Sequence, residues 1–364
     1  MHTLQRPKAA LAVVAVCLMT AAALALASSA ARAPVAERAS LFPYGSNRFA
    51  QLVADSYRYT GAGNPTAFFD WMASGYQRFA SRDIDREPPS IHQFLEANRR
   101  RLEATTNRHA RAELELHIAS RLHGMVKVLV PRFSLERGFE FSYAARTGER
   151  QCLLQSALIA SMLQKVGARA GVVMVYRNGA GAESNNGHAA VLLKLTDGQD
   201  VIVDASDPEP LANHQGILAR CSDYCYLVPI YRPGSGRRIV GYLTEAGRHK
   251  VAVARVLPLD YPYVRSQFWY YRGERAKGGL LSAQKSAEGL RVAKRCFRTS
   301  VSICPHNALA TYMLGRVELA EGHVADARAL LHRAYALYVR DGWVPQGPQQ
   351  YLKLANTKPA LVRR

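Results

Sequence analysis

Apolar residues recur at three- and four-residue intervals between Phe49 and Met125, with polar residues between them. This spacing puts the apolar side chains on one helix face, so we predict a helical region. Pro88-Pro89 followed by Ser90 indicates a break and a new helix N-cap within it. The positions that carry the pattern are Phe68, Trp71, Met72, Tyr76, Phe79, Ile91, Phe94, Leu95, Leu114, Leu116, Ile118 and Leu122.

A different pattern follows in the middle of the chain. The segment from Cys152 to Gly167 is apolar around most of its circumference, which predicts a buried central helix that ends at the glycine. Short runs rich in Val, Leu, Ile and aromatic residues predict strands. The predicted strands are Val126–Val130, Phe139–Tyr143, Ala170–Tyr176, Ala189–Leu195 and Asp200–Asp204. Asp197-Gly198 lies between the last two, so these should form an antiparallel hairpin.

The C-terminal pattern is again helical, over Leu281–Arg298 and Asn307–Tyr338. Small residues such as Gly315 and Gly322 would let two helices of the second stretch pack closely. Their spacing resembles one and a half tetratricopeptide repeats over about fifty residues. The resemblance implies a helical appendage that could bind a protein partner.

These patterns predict an α+β fold in four parts. Residues 1–30 form a leader, and residues 31–110 form a linker and a helical N-terminal region. Residues 111–265 hold the central helix and the antiparallel sheet. Residues 266–364 form the C-terminal helical region.

The leader has the composition of an export signal. Arg6 and Lys8 precede the uncharged run Ala9–Ala27, and Ser28-Ser29-Ala30 provides small residues for cleavage. The run is 19 residues long, close to the roughly 20 needed to span a bilayer, so it could instead stay as a membrane anchor. Both alternatives predict a chain exported to the periplasm or secreted.

The charge balance is strongly basic, with 48 Lys and Arg against 28 Asp and Glu and a formal charge of +20. The basic residues are spread along the chain, and we find no nucleic-acid-binding signature. We therefore expect no nucleic-acid partner. In an exported protein, this charge suits contact with an anionic envelope surface.

Five cysteines follow the leader. Export permits disulfides, and two pairs are close in sequence, Cys221 with Cys225 and Cys296 with Cys304. We predict both as disulfides, which leaves Cys152 as a free and reactive thiol. A zinc site is the weaker interpretation, because neither pair has the two-residue gap typical of zinc knuckles. The sequence implies no metal and no organic cofactor.

Cys152, His188 and Asp204 supply the three groups of a thiolate nucleophile: thiol, imidazole and carboxylate. Cys152 begins the predicted helix, and a helix N-terminus beside an imidazole lowers a thiol pKa. The amides there could also stabilise an oxyanion, with Gln151 as a candidate side-chain donor.

The choice of carboxylate depends on the hairpin turn. A three-residue loop ending at Gly198 would make Leu195 face Gln199 and put Asp204 diagonally across from His188, within reach. A two-residue turn would shift the register and bring Asp207 opposite the histidine instead. Asp207 therefore stays the alternative acid.

The ordered set of motifs resembles the transglutaminase-like superfamily of papain-like cysteine enzymes. The matching pieces are Cys152 at a helix start, Leu163–Arg169 at its exit, His188-Ala189 and Val203-Asp204, within roughly Leu116–Pro208. The resemblance implies a papain/transglutaminase-like core, in which a central helix packs on an antiparallel sheet. It also implies a nucleophile, base and orienting acid in the order of the trio.

Two positions depart from the family pattern, since many members have an aromatic residue where this chain has Leu153 and a Trp where it has Ala190. We nevertheless expect an exported cysteine enzyme that acts on amide bonds of a protein or peptide. Hydrolysis by a peptidase or amidase is favoured over cross-linking, because no feature indicates a dedicated amine site. One alternative is a cell-wall amidase of similar chemistry. Another is a catalytically lapsed fold that acts as an envelope scaffold through its C-terminal helices.

Overall fold

The chain folds into a β-barrel surrounded by helices, as seen in a computed structural model that describes residues 38, 40–82, 88–234 and 237–357. The described residues from Leu41 onward form one compact unit. The α-helices over these residues are α1 (Asn47–Thr60), α2 (Thr66–Ala80), α3 (Ile91–Ala104), α4 (Arg108–Leu129), α5 (Phe141–Thr147), α6 (Cys152–Lys165), α7 (Tyr261–Glu274), α8 (Ala287–Ile303), α9 (Ala308–Ala320), α10 (Val324–Asp341) and α11 (Gln346–Thr357). The strands are β1 (Arg132–Phe133), β2 (Glu149–Arg150), β3 (Arg169–Arg177), β4 (Glu183–Lys194), β5 (Asp200–Val203), β6 (Leu211–Ala212), β7 (Gly216–Arg220), β8 (Tyr224–Tyr231), β9 (Ile239–Thr244) and β10 (Lys250–Val251). The coarse α+β prediction is confirmed.

The barrel closes because its first and last strands pair with each other. The strands run in the order β9-β8-β7-β3-β4-β5, and β5 returns to β9 through Asp200 opposite Ile239. Alternate residues point into the barrel or outward against α6, so both faces are buried. This double burial explains why these strands appear in the sequence as nearly continuous apolar runs.

The hairpin of β4 and β5 has the register expected for a three-residue loop. Lys194 faces Asp200, and the Leu195 amide donates to the Gln199 carbonyl at 2.8 Å. Gly198 closes the loop with φ of +93°, a left-handed conformation that glycine adopts without strain. This register prediction is confirmed, and it brings the end of β5 close to the start of the regular part of β4.

Two predicted strands are wrong. Val126–Val130 is mostly the last turn of α4, and Phe139–Tyr143 enters α5. Short apolar runs do not distinguish a strand from a buried helix by period, and both segments face the helical core. The predicted domain boundaries 110/111 and 265/266 fall inside α4 and α7, two continuous helices.

The C-terminal helices form the predicted close hairpin. In α9, a side chain at Gly315 would place its Cβ 3.0 Å from Leu331 of α10, so the glycine allows the two helices to approach. The predicted leader, residues 1–30, lies outside the described residues. Across the residues that are described, no helix combines the length and apolar character needed to cross a membrane.

Helix α7 is held in place by an N-cap at its start and by a buried ion pair near its end. Asp260 caps it by accepting from the Tyr263 amide, and Pro262 occupies its first turn. The Arg272 guanidinium, 1% exposed, donates to both carboxylate oxygens of Glu140 at 2.8 and 2.9 Å. Glu140 itself begins α5, so the pair joins the C-terminal half of the chain to the segment before Cys152.

Candidate active site

Cys152 is the first residue of α6, as its sequence predicts, and it is half-buried. Gln151 is the N-cap residue, but no side chain caps the helix. The first amides of α6 are therefore not occupied by a capping side chain, and they sit beside the thiol. A helix start of this kind stabilises negative charge, either on the thiolate or on an oxyanion.

An irregularity in β4 sets the position of His188. Val175 faces His188, but Arg177 faces Glu183, so β4 carries extra residues just before the histidine. Gly187 within this bulge has φ of +68°. Bulges re-aim neighbouring side chains, and here the regular part of the strand resumes with the imidazole at its start.

Asp204 lies at the end of β5 and is 2% exposed. Its Oδ2 accepts from the His188 Nε2 at 2.6 Å and from the His214 Nε2 at 2.8 Å. Its Oδ1 accepts from the Ser206 amide at 2.8 Å. Because Nε2 of His188 is engaged by the carboxylate, Nδ1 is the nitrogen left to face the Cys152 thiol.

Two polar side chains of α6 hold these parts together. Ser156 donates to the Ala189 carbonyl of β4 at 3.0 Å, and Gln155 donates to the Ala205 carbonyl at 3.2 Å. The helix that carries the thiol is therefore bonded to residues adjacent to both the histidine and the aspartate. Such support keeps a reactive geometry fixed.

The charges of the three groups are mutually dependent. Burial acts to raise the pKa of the Cys152 thiol, but the charge of His188 and its hydrogen bond outweigh it, so this pKa is lowered. Burial alone would lower the His188 pKa, yet the Cys152 thiolate and Asp204 raise it to about 11. Burial likewise opposes ionisation of Asp204, but hydrogen bonds from His188 and His214 hold its pKa well below the usual range. The arrangement favours a thiolate–imidazolium pair.

The thiol opens into a cleft of about 300 Å³. Its lining residues come from five parts of the chain: Phe133, Leu135, Gln151, Cys152, Gly187, His188, Ser206, Tyr271, Glu274 and Arg275. Tyr271 lines the cleft beside the Cys152 thiol, and burial followed by the charge of that thiol raises the Tyr271 pKa well above its ordinary value. Phe139 stacks on the Tyr271 ring at 5.6 Å and fixes its orientation.

The sequence prediction missed Tyr271, His214 and Glu274 as parts of this site. None lies in a motif with the trio, and each arrives through long-range packing. His214 follows β6, and its 6% exposure with a Nε2 bond to Asp204 makes it a positioning residue for the carboxylate. In the sequence, the one sign of a role for His214 is that a polar residue follows closely after the predicted hairpin.

The other predicted residues have distinct outcomes. Gln151 lines the cleft, and its buried Oε1 has no hydrogen-bond partner among the described residues. The Asp207 backbone carbonyl accepts from His123 at 3.2 Å and Lys127 at 2.5 Å, which ties the loop to α4. It is Asp204 whose carboxylate bonds His188.

The structure corrects the Cys296–Cys304 prediction, and all five described cysteines are free thiols in it. Cys296 and Cys304 lie eight residues apart on α8 and its C-cap, about 12 Å along a helix, which is too far for a disulfide. Cys304 instead contacts the Tyr224 hydroxyl at 3.6 Å. Cys221 and Cys225 are neighbouring thiols, and their interaction together with burial raises the Cys221 pKa. Their pairing as a disulfide stays a prediction.

Two groups of His and carboxylate residues within the described ranges are spaced closely enough to hold a metal ion. In the first, His188 and His214 both donate to Asp204, so hydrogen bonds account for the grouping. The second comprises Glu318, Glu321 and His323. There the Lys294 ammonium lies 2.6 and 2.7 Å from the two carboxylates and supplies the cation.

In comparisons with known proteins, no protein-family model matches the chain, and no curated protein matches it.

Replacing Asp204 by asparagine should shift the pH dependence of Cys152 alkylation to higher pH. The imidazolium loses its charged partner, and this effect should outweigh the loss of the weaker direct repulsion between Asp204 and the thiolate. The shift should be smaller than that produced by removing His188. Asp207→Asn is the matched control, because that side chain is three residues away on the same loop. Iodoacetamide labelling measured peptide by peptide compares the two variants, and a silent Asp204→Asn beside a damaging Asp207→Asn would reverse the assignment.

Proposed function

We propose that this chain is a cysteine enzyme of papain/transglutaminase-like type that hydrolyses amide bonds in a protein or peptide. The observation that carries the proposal is the aligned series of Cys152, His188 and Asp204, with the thiol open to a cleft. The helix start beside the thiol supports the same chemistry, because it offers backbone donors where negative charge would develop.

The residues suggest the following sequence of steps. The Cys152 thiolate attacks the amide carbonyl carbon, and the oxyanion that forms is stabilised by the first amides of α6, with Gln151 and Tyr271 nearby. The His188 imidazolium then gives its proton to the leaving amine as the carbon–nitrogen bond breaks, which leaves a thioester on Cys152. Neutral His188 next takes a proton from water, whose oxygen attacks the thioester carbon. The carbon–sulfur bond then breaks, which releases the acid and restores the Cys152 thiolate beside the His188 imidazolium.

Hydrolysis is favoured over transfer to an amine by the charges of the cleft. Glu274 is the carboxylate among its lining residues, and an amine substrate would need such a group. Glu274 accepts from the Tyr270 hydroxyl at 2.8 Å and pairs with Arg275 at 3.2 Å. This buried carboxylate is therefore already engaged within the protein and is not an open binding group for an amine.

Export, contact with anionic envelope surfaces and a protein partner on the C-terminal helices stay predictions. The scaffold alternative would use those helices and needs no activated thiol. It therefore differs from the proposed enzyme in what Cys152 should do.

Cys152→Ala should lower amide hydrolysis by at least about a thousandfold, because the nucleophile is lost while the volume changes little. The assay incubates purified protein with a peptide mixture and quantifies new N-termini by mass spectrometry. Cys221→Ala is the matched control, since it removes another partly exposed cysteine outside the cleft. Equal activity in Cys152→Ala and wild type would rule out the proposed mechanism.

A further inference from the structure

The wall of the cleft contains a strand with one unpaired edge. β1 pairs with β2 in parallel, with the Arg132 amide donating to Gly148 and the Ser134 amide donating to Arg150, both at 3.1 Å. Backbone groups of successive residues in a strand point to opposite sides, so the N–H and C=O of Phe133 face away from β2. No other strand among the described residues pairs with β1.

Exposed apolar side chains surround this edge. Phe133 is 65% exposed and Leu135 is 43% exposed, and both line the cleft with Cys152. A second cavity of about 420 Å³ adjoins the cleft, shares Glu274 and Arg275 with it, and contains Leu281, 42% exposed. Three of the seven most exposed large apolar side chains of the described residues thus lie along one groove, which marks a binding surface rather than chance exposure.

Two cationic side chains of the groove are paired with carboxylates of the protein itself. Arg137 donates to Glu149 at 2.6 Å, and Arg275 pairs with Glu274 at 3.2 Å. The second cavity is also lined by the exposed Glu136 and Lys277, one charge of each sign. The groove therefore does not present a patch of one charge, and its unpaired backbone and exposed apolar side chains are the features that we expect to recognise a ligand.

We propose that the acyl donor is an extended polypeptide segment that adds to the free edge of β1. One substrate residue would accept from the Phe133 N–H and donate to the Phe133 C=O, as in strand addition to an exposed sheet edge. A neighbouring apolar side chain of the substrate would contact Phe133 and Leu135. This inference rests on the proposed function, and it names the substrate as an unfolded or looped segment with an apolar residue near the cleaved bond.

Tetrapeptide acyloxymethyl ketones, which alkylate catalytic thiols, test the inference. The set carries alanine throughout, with leucine, aspartate or an N-methyl group moved through each position in turn. At one position leucine should accelerate Cys152 alkylation about five- to tenfold over aspartate, and N-methylation at the pairing position should slow it by about the same factor.

Two variants separate the backbone contribution from the side-chain contribution. Phe133→Ala keeps the N–H and should reduce only the preference for leucine. Phe133→Pro removes the N–H at an edge where proline is tolerated, and it should slow all peptide probes about five- to tenfold. Leu135→Ala offers a second side-chain variant should either change at 133 disturb folding.

Iodoacetamide reacts with a thiolate without binding along the groove. Its labelling rate therefore tests the activated Cys152 thiol separately from peptide binding at the β1 edge. Suppose that Cys152 has a low pKa, but its rate of alkylation by the peptide probes does not depend on leucine, on N-methylation or on either change at residue 133. That result would overturn the strand-addition inference while the proposed function stands. A Cys152 with an ordinary thiol pKa would overturn both. Rates of iodoacetamide labelling that are unchanged in the Phe133 variants, together with the losses above, would support the inference.

Discussion

Replacing His188 by alanine should raise the pKa of the Cys152 thiol above its ordinary value of about 8.5. In the wild-type protein the imidazolium opposes the effect of burial and keeps this pKa low. Without it, burial and the remaining Asp204 charge both favour the neutral thiol. Labelling by iodoacetamide should therefore rise at a higher pH, and the rate at pH 7 should fall by at least about tenfold.

The measurement follows the Cys152 peptide across pH 5 to about 10, the range that brackets an ordinary thiol pKa. Cys221 in the same digest is the internal control, because its thiol contacts Cys225 rather than the histidine. Its profile should be the same in both proteins. Identical Cys152 profiles in wild type and His188→Ala would show that the two groups are not coupled.

Glu140→Gln should be among the most destabilising single changes in the described residues. It leaves the Arg272 guanidinium buried at 1% exposure without its charged partner, although the ring of Trp269 stays 4.5 Å away. Breaking a buried ion pair by removing one charge costs about 3–5 kcal/mol. Urea unfolding followed by tyrosine and tryptophan fluorescence measures the loss.

Two controls test whether burial is the cause. Glu288→Gln breaks an exposed pair with Arg291, and it should cost no more than about 1 kcal/mol. The double change Glu140→Gln with Arg272→Met removes both buried charges, so it should cost less than Glu140→Gln alone. A Glu140→Gln protein as stable as Glu288→Gln would contradict the assigned role of the pair.

Local sequence rules were enough for the parts of the site that depend on neighbouring residues. The apolar circumference of α6 predicted the central helix, and the turn at Asp197-Gly198 predicted the hairpin and limited its register to two alternatives. That register is what brings Asp204 to His188. Each inference needed only residues within one or two adjacent elements.

Features that depend on distant contacts were not predictable in the same way. The pairing of Asp200 with Ile239 closes the barrel. Neither a turn motif nor the spacing of apolar residues specifies that this pair forms. Tyr271 reaches the thiol because α7 packs across the chain, held by Arg272. The Cys296–Cys304 prediction failed for a related reason, since closeness in sequence along one helix is not closeness in space.

The position of α7 late in the sequence affects when the site of a newly synthesised chain is complete. During synthesis from the N-terminus, Cys152, His188 and Asp204 all precede Tyr261, where α7 begins. A nascent chain therefore contains its complete triad before the ribosome has added the helix that supplies Tyr271 and one wall of the cleft. The thiol meets its finished surroundings only after α7 has been made and docked, so competence of the site reports on folding of the C-terminal half.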